Sequence, residues 1–235
     1  MDLGSFGDIH TDSLYVGIIN TYCLYVNLSG AKKMTQPSKT TKAQQSQATI
    51  ELLTNTAFEE FSQKGYADAA TETIVRKAGV TRGALYHHFK GKKDLFYVVF
   101  RKAQREIGKR IEDRANTNED PWDQLVSGCR AFLEACTEPA LQQIVVIDAP
   151  AVLDWNAYRE VDATMPGSGF SLLREGLQEL IDHKLIKPLS TDALAHLLSG
   201  AMDEAAVWIA KCDDVDRGLV EAQQALESLL AGLQT

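Results

Sequence analysis

One short segment, residues 79–92 (GVTRGALYHHFKGK), carries several side chains that can donate hydrogen bonds or hold positive charge. Thr81 can begin a helix here, because its hydroxyl can accept one of the free N–H groups of the first turn. Leu85 and Phe89, four residues apart, share one face of that helix and can be buried together. A helix this short must be held by its neighbours, and its exposed face is predicted to be the functional one. The side chains left on that face are Arg82, Tyr86, His87 and His88.

Charge is distributed unevenly along the 235 residues, whose formal net charge is −8. Residues 39–93 hold nine Lys and Arg against five Asp and Glu, a net charge of +4. Residues 94–235 hold thirteen against twenty-four, a net charge of −11. A basic segment attracts phosphate, while an acidic remainder weakens indiscriminate binding to DNA. The distribution therefore favours a nucleic-acid partner for the basic segment in spite of the acidic total.

Three helices are predicted to position this segment. From about residue 42 to 64, apolar residues recur at three- and four-residue steps, and Gly65 supplies a left-handed stop. A second short helix spans about residues 71–78, and Gly79 permits a tight turn before the helix that follows Thr81. Two short helices joined by a glycine turn, packed behind a longer one, predict a helix-turn-helix.

A long helix is predicted to follow this unit. Apolar residues step by four along one face from Leu95 to Ile111, and no proline occurs between Pro37 and Pro121. The helix runs to about Arg114, roughly 30 Å at 1.5 Å per residue. This length suffices to connect a DNA-reading head to a separate body.

The remainder of the chain is predicted to be helical, with prolines at helix starts or in connections. No segment shows sustained strand alternation, so the predicted fold class is all-α, and 45% hydrophobic residues support a sizeable core. We predict an N-terminal extension (1–41), a helix-turn-helix head (42–93) and a larger helical effector-binding and dimerisation domain (94–235). The further helices span about 122–135, 140–148, 150–164, 169–183, 191–211 and 215–233.

The last two predicted helices carry apolar residues at alternating three- and four-residue steps, the pattern of bundle seams. Two such hairpins, one from each of two chains, would form a four-helix dimer interface. The alternative is that both seams face the core of their own chain. The predicted interface residues are Leu194, Leu198, Ala201, Ala205, Trp208, Leu219, Leu226, Leu229 and Leu233.

The first 33 residues differ from the rest. The apolar run from Leu14 to Leu28 is too short for a membrane-spanning helix, and it lacks the basic start and cleavage site of a signal peptide. Met34 follows Lys32 and Lys33 and begins a polar segment, so synthesis is predicted to begin at Met34. The alternative is a strand or helix that packs on the body.

The sequence predicts neither a disulfide framework nor a metal or cofactor site. Its four cysteines, at positions 23, 129, 136 and 212, include no C-x-x-C pair, so reduced thiols in a cytoplasmic protein fit better. HExxH, GxSxG and phosphate-loop motifs are absent, and their absence argues against an enzyme.

Three parts of the chain together resemble the N-terminal signature of the tetracycline-repressor (TetR) family of bacterial regulators. They are Gly65-Tyr66, residues 74–89 (IVRKAGVTRGALYHHF) and the pair Lys92 and Leu95. The match spans about residues 42–96; beyond it the chain is similar only to an all-helical ligand-binding and dimerisation domain. The resemblance implies a homodimer that binds double-stranded DNA at a palindromic operator, and usually repression relieved by a small molecule.

The resemblance also implies roles for eight residues. Arg82 and Gly83 match the start of the recognition helix, where Arg82 can make two hydrogen bonds to guanine O6 and N7. His87 matches another groove-facing position. Where the family often has Ser or Thr before the second helix, this chain has Ala69 and Ala70, so the cap is expected to shift by a residue. The positions that match phosphate contacts are Thr71, Thr81, Tyr86, His88 and Lys92.

Other interpretations of these residues stay open at this point. Tyr86 can be a packed core residue, and Arg82, His87 and His88 can be solvated surface residues. A zinc role for the two histidines lacks a third ligand nearby.

The effector site is the least specified part of the prediction, and composition suggests only an apolar or aromatic effector. His196 and Asp203, seven residues apart, can supply polar groups, form a satisfied buried pair or lie at the dimer seam. The alternatives for the whole protein are an architectural DNA binder without an effector and a helical enzyme. The candidate pocket residues, each of which can equally be core, are Phe132, Trp155, Tyr158, Phe170, His196 and Asp203.

Overall fold

The computed structural model describes residues 41–235, apart from the side chains of Trp155 and Asp162. Helices make up this part of the chain, and its β pairing is limited to an isolated antiparallel bridge between Ile186 and Gln234. The predicted all-α fold is confirmed. The predicted extension, except for Thr41, and the predicted start at Met34 lie outside the described residues.

The helix order matches the predicted one. The N-terminal part of the described chain contains α1 (Lys42–Asp68), α2 (Thr71–Lys77), α3 (Arg82–His88) and the long α4 (Lys92–Ala115). The rest contains α5 (Pro121–Thr137), α6 (Pro139–Leu141), a π-helix (Gln142–Asp148), α7 (Ala149–Val152), α8 (Trp155–Thr164), α9 (Gly169–Asp182), α10 (Thr191–Ile209) and α11 (Val215–Ala231).

The predicted boundaries fail between residues 139 and 154. The segment predicted as one helix over 140–148 becomes the π-helix, and the helix predicted over 150–164 is divided in two. Leu153 is extended, and the Asp154 side chain accepts a hydrogen bond from the Ala157 N–H at 2.9 Å. A side-chain cap at Asp154 therefore begins α8 where a continuous helix was expected.

Two glycines and one threonine shape the head. Gly65, at φ 71°, interrupts the helical path of α1, and Gly79, at φ 65°, makes the turn between α2 and α3. The Oγ1 atom of Thr81 accepts a hydrogen bond from the Ala84 N–H at 3.1 Å and caps α3, as predicted. At α2 the predicted shift of the cap is wrong. Ala70 occupies the N-cap without a side-chain bond, and Thr71 donates to a Glu72 carboxylate oxygen at 3.2 Å instead.

The head and the start of the body share one core. The predicted stripe of α4, from Leu95 to Ile111, is buried along its length. Its first half packs with Phe61, Ile74 and Leu85 of the head, which are fully buried, and the same cluster continues into the π-helix. A second core lies among α5, α9, α10 and α11. The boundary between head and body at residue 93 stays a prediction, because α4 contributes to both.

The π-helix connects the body to the head through one short hydrogen bond. The backbone N–H of Tyr66 donates to Oδ2 of Asp148 at 2.7 Å. A Cβ added at Gly65 would lie 3.0 Å from Nε2 of Gln143, the movable end of a long side chain, so the positive φ and not the space favours glycine here. π-helical turns are rare and often lie at functional sites. None of the helices among residues 41–235 is both long and apolar enough to cross a membrane.

Candidate nucleic-acid interface

Helix α3 presents one face to the core and the other to solvent. Leu85 and Phe89, at 0% and 4% exposure, fix its inner face against α1 and α2. The outer face keeps the predicted DNA-contacting residues accessible. Arg82, Gly83, Tyr86 and His87 are exposed, and His88 is half-buried. The interpretation of Tyr86 as a packed core residue is wrong, since the residue is 47% exposed.

Arg82 is held only weakly by its own chain. Its guanidinium lies 3.7 Å from a carboxylate oxygen of Glu72 and 5.5 Å from the centre of the Tyr86 ring. Both partners of the ion pair are more than 60% exposed, and water screens pairs of this kind so strongly that they add little to stability. The guanidinium can therefore exchange Glu72 for a base edge at little cost.

The two histidines differ in environment. Their rings meet edge to face with centroids 4.9 Å apart. Burial, and next the charge of His87, lowers the pKa of His88 below its usual range. This shift favours the neutral imidazole, which can donate one N–H to a phosphate oxygen.

Lys92 makes contacts inside the head as well. Its ammonium donates to the carbonyl oxygen of Ala67 at 3.2 Å and lies 4.5 Å from the centre of the Tyr66 ring. Lys92 is half-buried, so it joins the start of α4 to the end of α1 in addition to any contact with DNA. The contact with Ala67 escaped sequence analysis because the two residues are 25 apart in the chain.

A cavity of about 310 Å³ opens among α4, α5, α9 and α10. Phe132, Phe170 and Asp203 line it, as predicted for the effector pocket. Tyr158 does not, because it packs in the first core and stacks on Phe100 with centroids 5.3 Å apart. His196 is exposed, lies beside the Phe170 ring and does not line the cavity either. The side chain of Trp155 lies outside the described part of the structure.

The polar groups of the cavity include one that sequence analysis missed. Gln104 lines the cavity at 4% exposure, and no hydrogen bond joins its side chain to another described residue. It falls at helical spacing within the apolar stripe of α4, and a polar residue on such a stripe was the available signal. Asp203 pairs with Arg159 at 3.1 Å, and Arg159 also donates to the Ser199 hydroxyl at 3.2 Å.

The nine residues of the predicted dimer seam divide into two groups. Leu194 and Leu226 are buried in the second core of their own chain, and four more seam residues pack against it; these are Leu198, Ala205, Leu219 and Leu233. Only Ala201, Trp208 and Leu229 of the nine are exposed. Leu197, which was not predicted, is 71% exposed and lies on the same face of α10 as Ala201 and Trp208. The outward face of α10 therefore shares Ala201 and Trp208 with the predicted seam and has Leu197 where the prediction had Leu194 and Leu198.

Comparison with known proteins identifies the family. Residues 53–99 match a family model described as bacterial regulatory proteins, tetR family, and residues 122–233 match one described as tetracyclin repressor-like, C-terminal domain. The crystal structure of a TetR-family transcriptional regulator from Pectobacterium atrosepticum is 35% identical, with a TM-score of 0.71, over 83% of this chain and 98% of that one. The chain belongs to the TetR family of bacterial transcriptional regulators.

Curated relatives indicate the same family, although the aligned share of each chain differs between them. The Transposon Tn10 TetC protein of Escherichia coli is 26% identical over 65% of this chain and 76% of its own length. The HTH-type transcriptional regulator AcrR of Shigella flexneri is 38% identical over 35% of this chain and 39% of its own length. As a TetR-family member, the chain is a DNA-binding transcriptional regulator, and the alternative of a helical enzyme is set aside.

Proposed function

We propose that the chain is a dimeric repressor of a nearby operon, acts in the cytoplasm, binds a palindromic operator through α3 and is released by a small molecule. The observation that carries the proposal is the exposed face of α3, where Arg82 and Tyr86 stand clear of the core. Arg82 and Gly83 would face base edges and His87 would share the groove. Thr71, Thr81, Tyr86, His88 and Lys92 would contact phosphates and fix the orientation of the helix.

Dimerisation is part of the proposal because each head reads only half of a palindrome. Two recognition helices would have to lie about 34–36 Å apart to enter successive major grooves. The exposed apolar side chains of α10 and α11, among them Leu197, Trp208 and Leu229, supply a surface that a second copy can cover.

The cavity supports the ligand-responsive part of the proposal. It is bordered by the C-terminal half of α4, whose N-terminal end packs in the head. A ligand that favours one tilt of α4 would change the distance between the two recognition helices, and so the affinity for DNA.

Substitution of Arg82 and Lys92 tests the DNA interface. Fluorescence anisotropy would compare a duplex from the DNA that flanks the gene with a duplex of random sequence. Arg82→Ala should reduce the preference for the flanking duplex by about 5- to 100-fold, because base contacts carry about 1–3 kcal/mol. Lys92→Ala should weaken both duplexes alike and lower the salt slope by about 1.

Two controls accompany this comparison. Lys211→Ala removes an exposed charge from the body and should leave both affinities unchanged. Because Lys92 also bonds to Ala67, the melting temperature of Lys92→Ala shows whether the head is still folded under the conditions used. Equal effects of Arg82→Ala and Lys92→Ala on both duplexes would contradict the assignment of roles.

An architectural DNA binder without an effector is the second candidate function, and the acidic body, residues 94–235, would then serve only dimerisation. Thermal-shift screening separates the two, since a ligand that binds the folded state raises the melting temperature. The cavity beside Gln104 favours the ligand-responsive repressor.

A further inference from the structure

The charged side chains that line the cavity are all acidic, and the cation Arg159 lies behind its wall, against Asp203 and Phe170. Four carboxylates line it, those of Glu112, Glu175, Glu179 and Asp203. None of the described residues that line it is a lysine, arginine or histidine. Such a set favours a cationic ligand and opposes an anionic one, because like charges brought together without water are costly.

The four carboxylates are not equivalent. Asp203 is neutralised by Arg159 at 3.1 Å, with both side chains less than a quarter exposed. The side chains of Glu112, Glu175 and Glu179 are exposed, so they form the mouth of the cavity. The nearest cation in sequence to this mouth, Arg174, is paired with Asp192 at 2.6 Å. Arg174 and His183 lie beside Glu175 and Glu179 on the outer surface, but no ion pair between described residues includes Glu112, Glu175 or Glu179. The carboxylates without an ion pair therefore lie at the entrance and not at the inner wall.

The inner wall is apolar and aromatic, with one unused polar group. Phe132 and Phe170 contribute ring surface, and Leu125 and Met202 contribute aliphatic surface. Gln104 is buried there, and its amide makes no hydrogen bond to another described residue. The amide faces the cavity, where it is free to exchange a hydrogen bond with water for one with a ligand.

We propose that the cavity binds an organic cation whose ammonium lies at the Glu112, Glu175 and Glu179 mouth, whose flat apolar body lies against Phe132 and Phe170, and whose inner hydrogen-bonding group meets Gln104. This inference rests on the ligand-responsive function proposed above and names its ligand class. The volume of about 310 Å³ lies at the lower end of the range for ligand pockets, which suits a compact body of one or two rings.

Three indole compounds of similar shape and different charge test the proposal. Tryptamine is cationic, tryptophol is neutral and indole-3-propionate is anionic. All three carry a ring N–H that can donate a hydrogen bond to the side-chain oxygen of Gln104. Isothermal titration calorimetry on the full chain should give a dissociation constant about tenfold lower for tryptamine than for indole-3-propionate. Each exposed carboxylate contributes a few-fold to this ratio, and the ratio should fall as salt is added.

Variants separate the mouth from the inner wall. The double change Glu175→Gln and Glu179→Gln should reduce the preference for tryptamine to about threefold or less, because two of the three exposed charges are gone. Gln104→Leu should weaken all three compounds about fivefold and leave the preference unchanged. Glu204→Gln, at an exposed residue of α10 outside the lining, is the matched control and should change neither quantity.

The results decide the proposal independently of DNA binding, which is measured separately by anisotropy on the same samples. Equal affinity for the three compounds, tighter binding of the anion, or a preference that survives the double variant would overturn the ligand class. Absence of heat with every compound, in protein that still binds DNA, would overturn it too. Loss of DNA binding by the unmodified protein would instead overturn the repressor function.

Discussion

Glu60 places a carboxylate in the core of the head, where it is 0% exposed and lies 2.6 Å from the ammonium groups of both Lys64 and Lys77. Lys64 belongs to the same helix and Lys77 to α2, so the carboxylate joins the two helices. The contacts with the ammonium groups of Lys64 and Lys77 outweigh burial and lower the pKa of Glu60 below its usual range. The group thus stabilises the head while it is ionised.

The lowered pKa of Glu60 predicts a dependence of stability on pH. Its contribution is fully present above the ordinary glutamate pKa, about 4.3, and is lost as the pH falls through the lower pKa of the folded state. Glu60→Gln should lower the free energy of unfolding by about 2 kcal/mol at pH 7 and flatten its decline below pH 5. Urea unfolding followed by circular dichroism measures both effects. Glu59→Gln, at the exposed neighbouring position, is the control, and an equal pH dependence in the two variants would contradict the role of Glu60.

Local chemistry explains which residues could be predicted from sequence. The cap at Thr81 and the turn at Gly79 depend on groups within three residues of each, and both were predicted. Gln104 was not predicted, because the apolar periodicity of α4 indicates which face is buried but does not indicate a role for a single polar residue on that face. The contact between Lys92 and Ala67 depends on how α1 and α4 pack, which no local pattern encodes.

Helix α4 approaches another backbone closely at Gly108. A Cβ added there would overlap the carbonyl oxygen of Gly167, which lies in the turn before α9. Glycine at 108 therefore sets how closely the cavity wall formed by α9 approaches α4, and any larger residue must move one of the two backbones.

Gly108→Ala should destabilise the protein in spite of the better helix propensity of alanine. Overpacking of this kind costs about 1–3 kcal/mol, whereas alanine gains at most about 1 kcal/mol in a helix. Thermal unfolding at fixed protein concentration measures the difference. Gly83→Ala in α3 is the matched change, because a Cβ there meets nothing closer than 3.8 Å, and it should leave the melting temperature equal or higher. A Gly108→Ala protein as stable as the unmodified chain would show that the turn at Gly167 yields freely.

The element that sequence analysis placed least well is α10. Its composition is apolar on more than one face, so Leu194 and Leu198 suit a seam as well as Leu197 and Ala201 do. Packing against α5 and α9 selects the first pair for the core and leaves the second outside. The register of a helix that is apolar on two faces is decided by its neighbours, and the sequence of the helix alone leaves it open.

At the scale of the whole molecule, the exposed face of α10 predicts the oligomeric state. Leu197→Lys places a charge in the proposed dimer interface and should raise the dimer dissociation constant at least tenfold, since the ammonium would lose water without a partner. Sedimentation velocity measures this change. Leu52→Lys makes the same substitution at a 45% exposed residue of α1 in the head, and we expect the dimer to persist in that variant.

This pair of variants also tests whether the outward face of α10 joins two subunits. If Leu197→Lys and Leu52→Lys sediment alike as dimers, the outward face of α10 does not join the subunits. A monomer that keeps full affinity for a palindromic duplex would contradict the link between dimerisation and DNA binding.

The contact between Gly108 and Gly167 divides α4 into two unequal lengths. From Lys92 to Gly108 the helix extends about 24 Å, and from Gly108 to Ala115 about 10 Å, at 1.5 Å per residue. If the helix pivots where it touches Gly167, a shift at Ala115, which lines the cavity, is multiplied roughly twofold at the end that carries the head. A displacement of about half an ångström beside the ligand would then move the head by about one ångström, without any bend within α4.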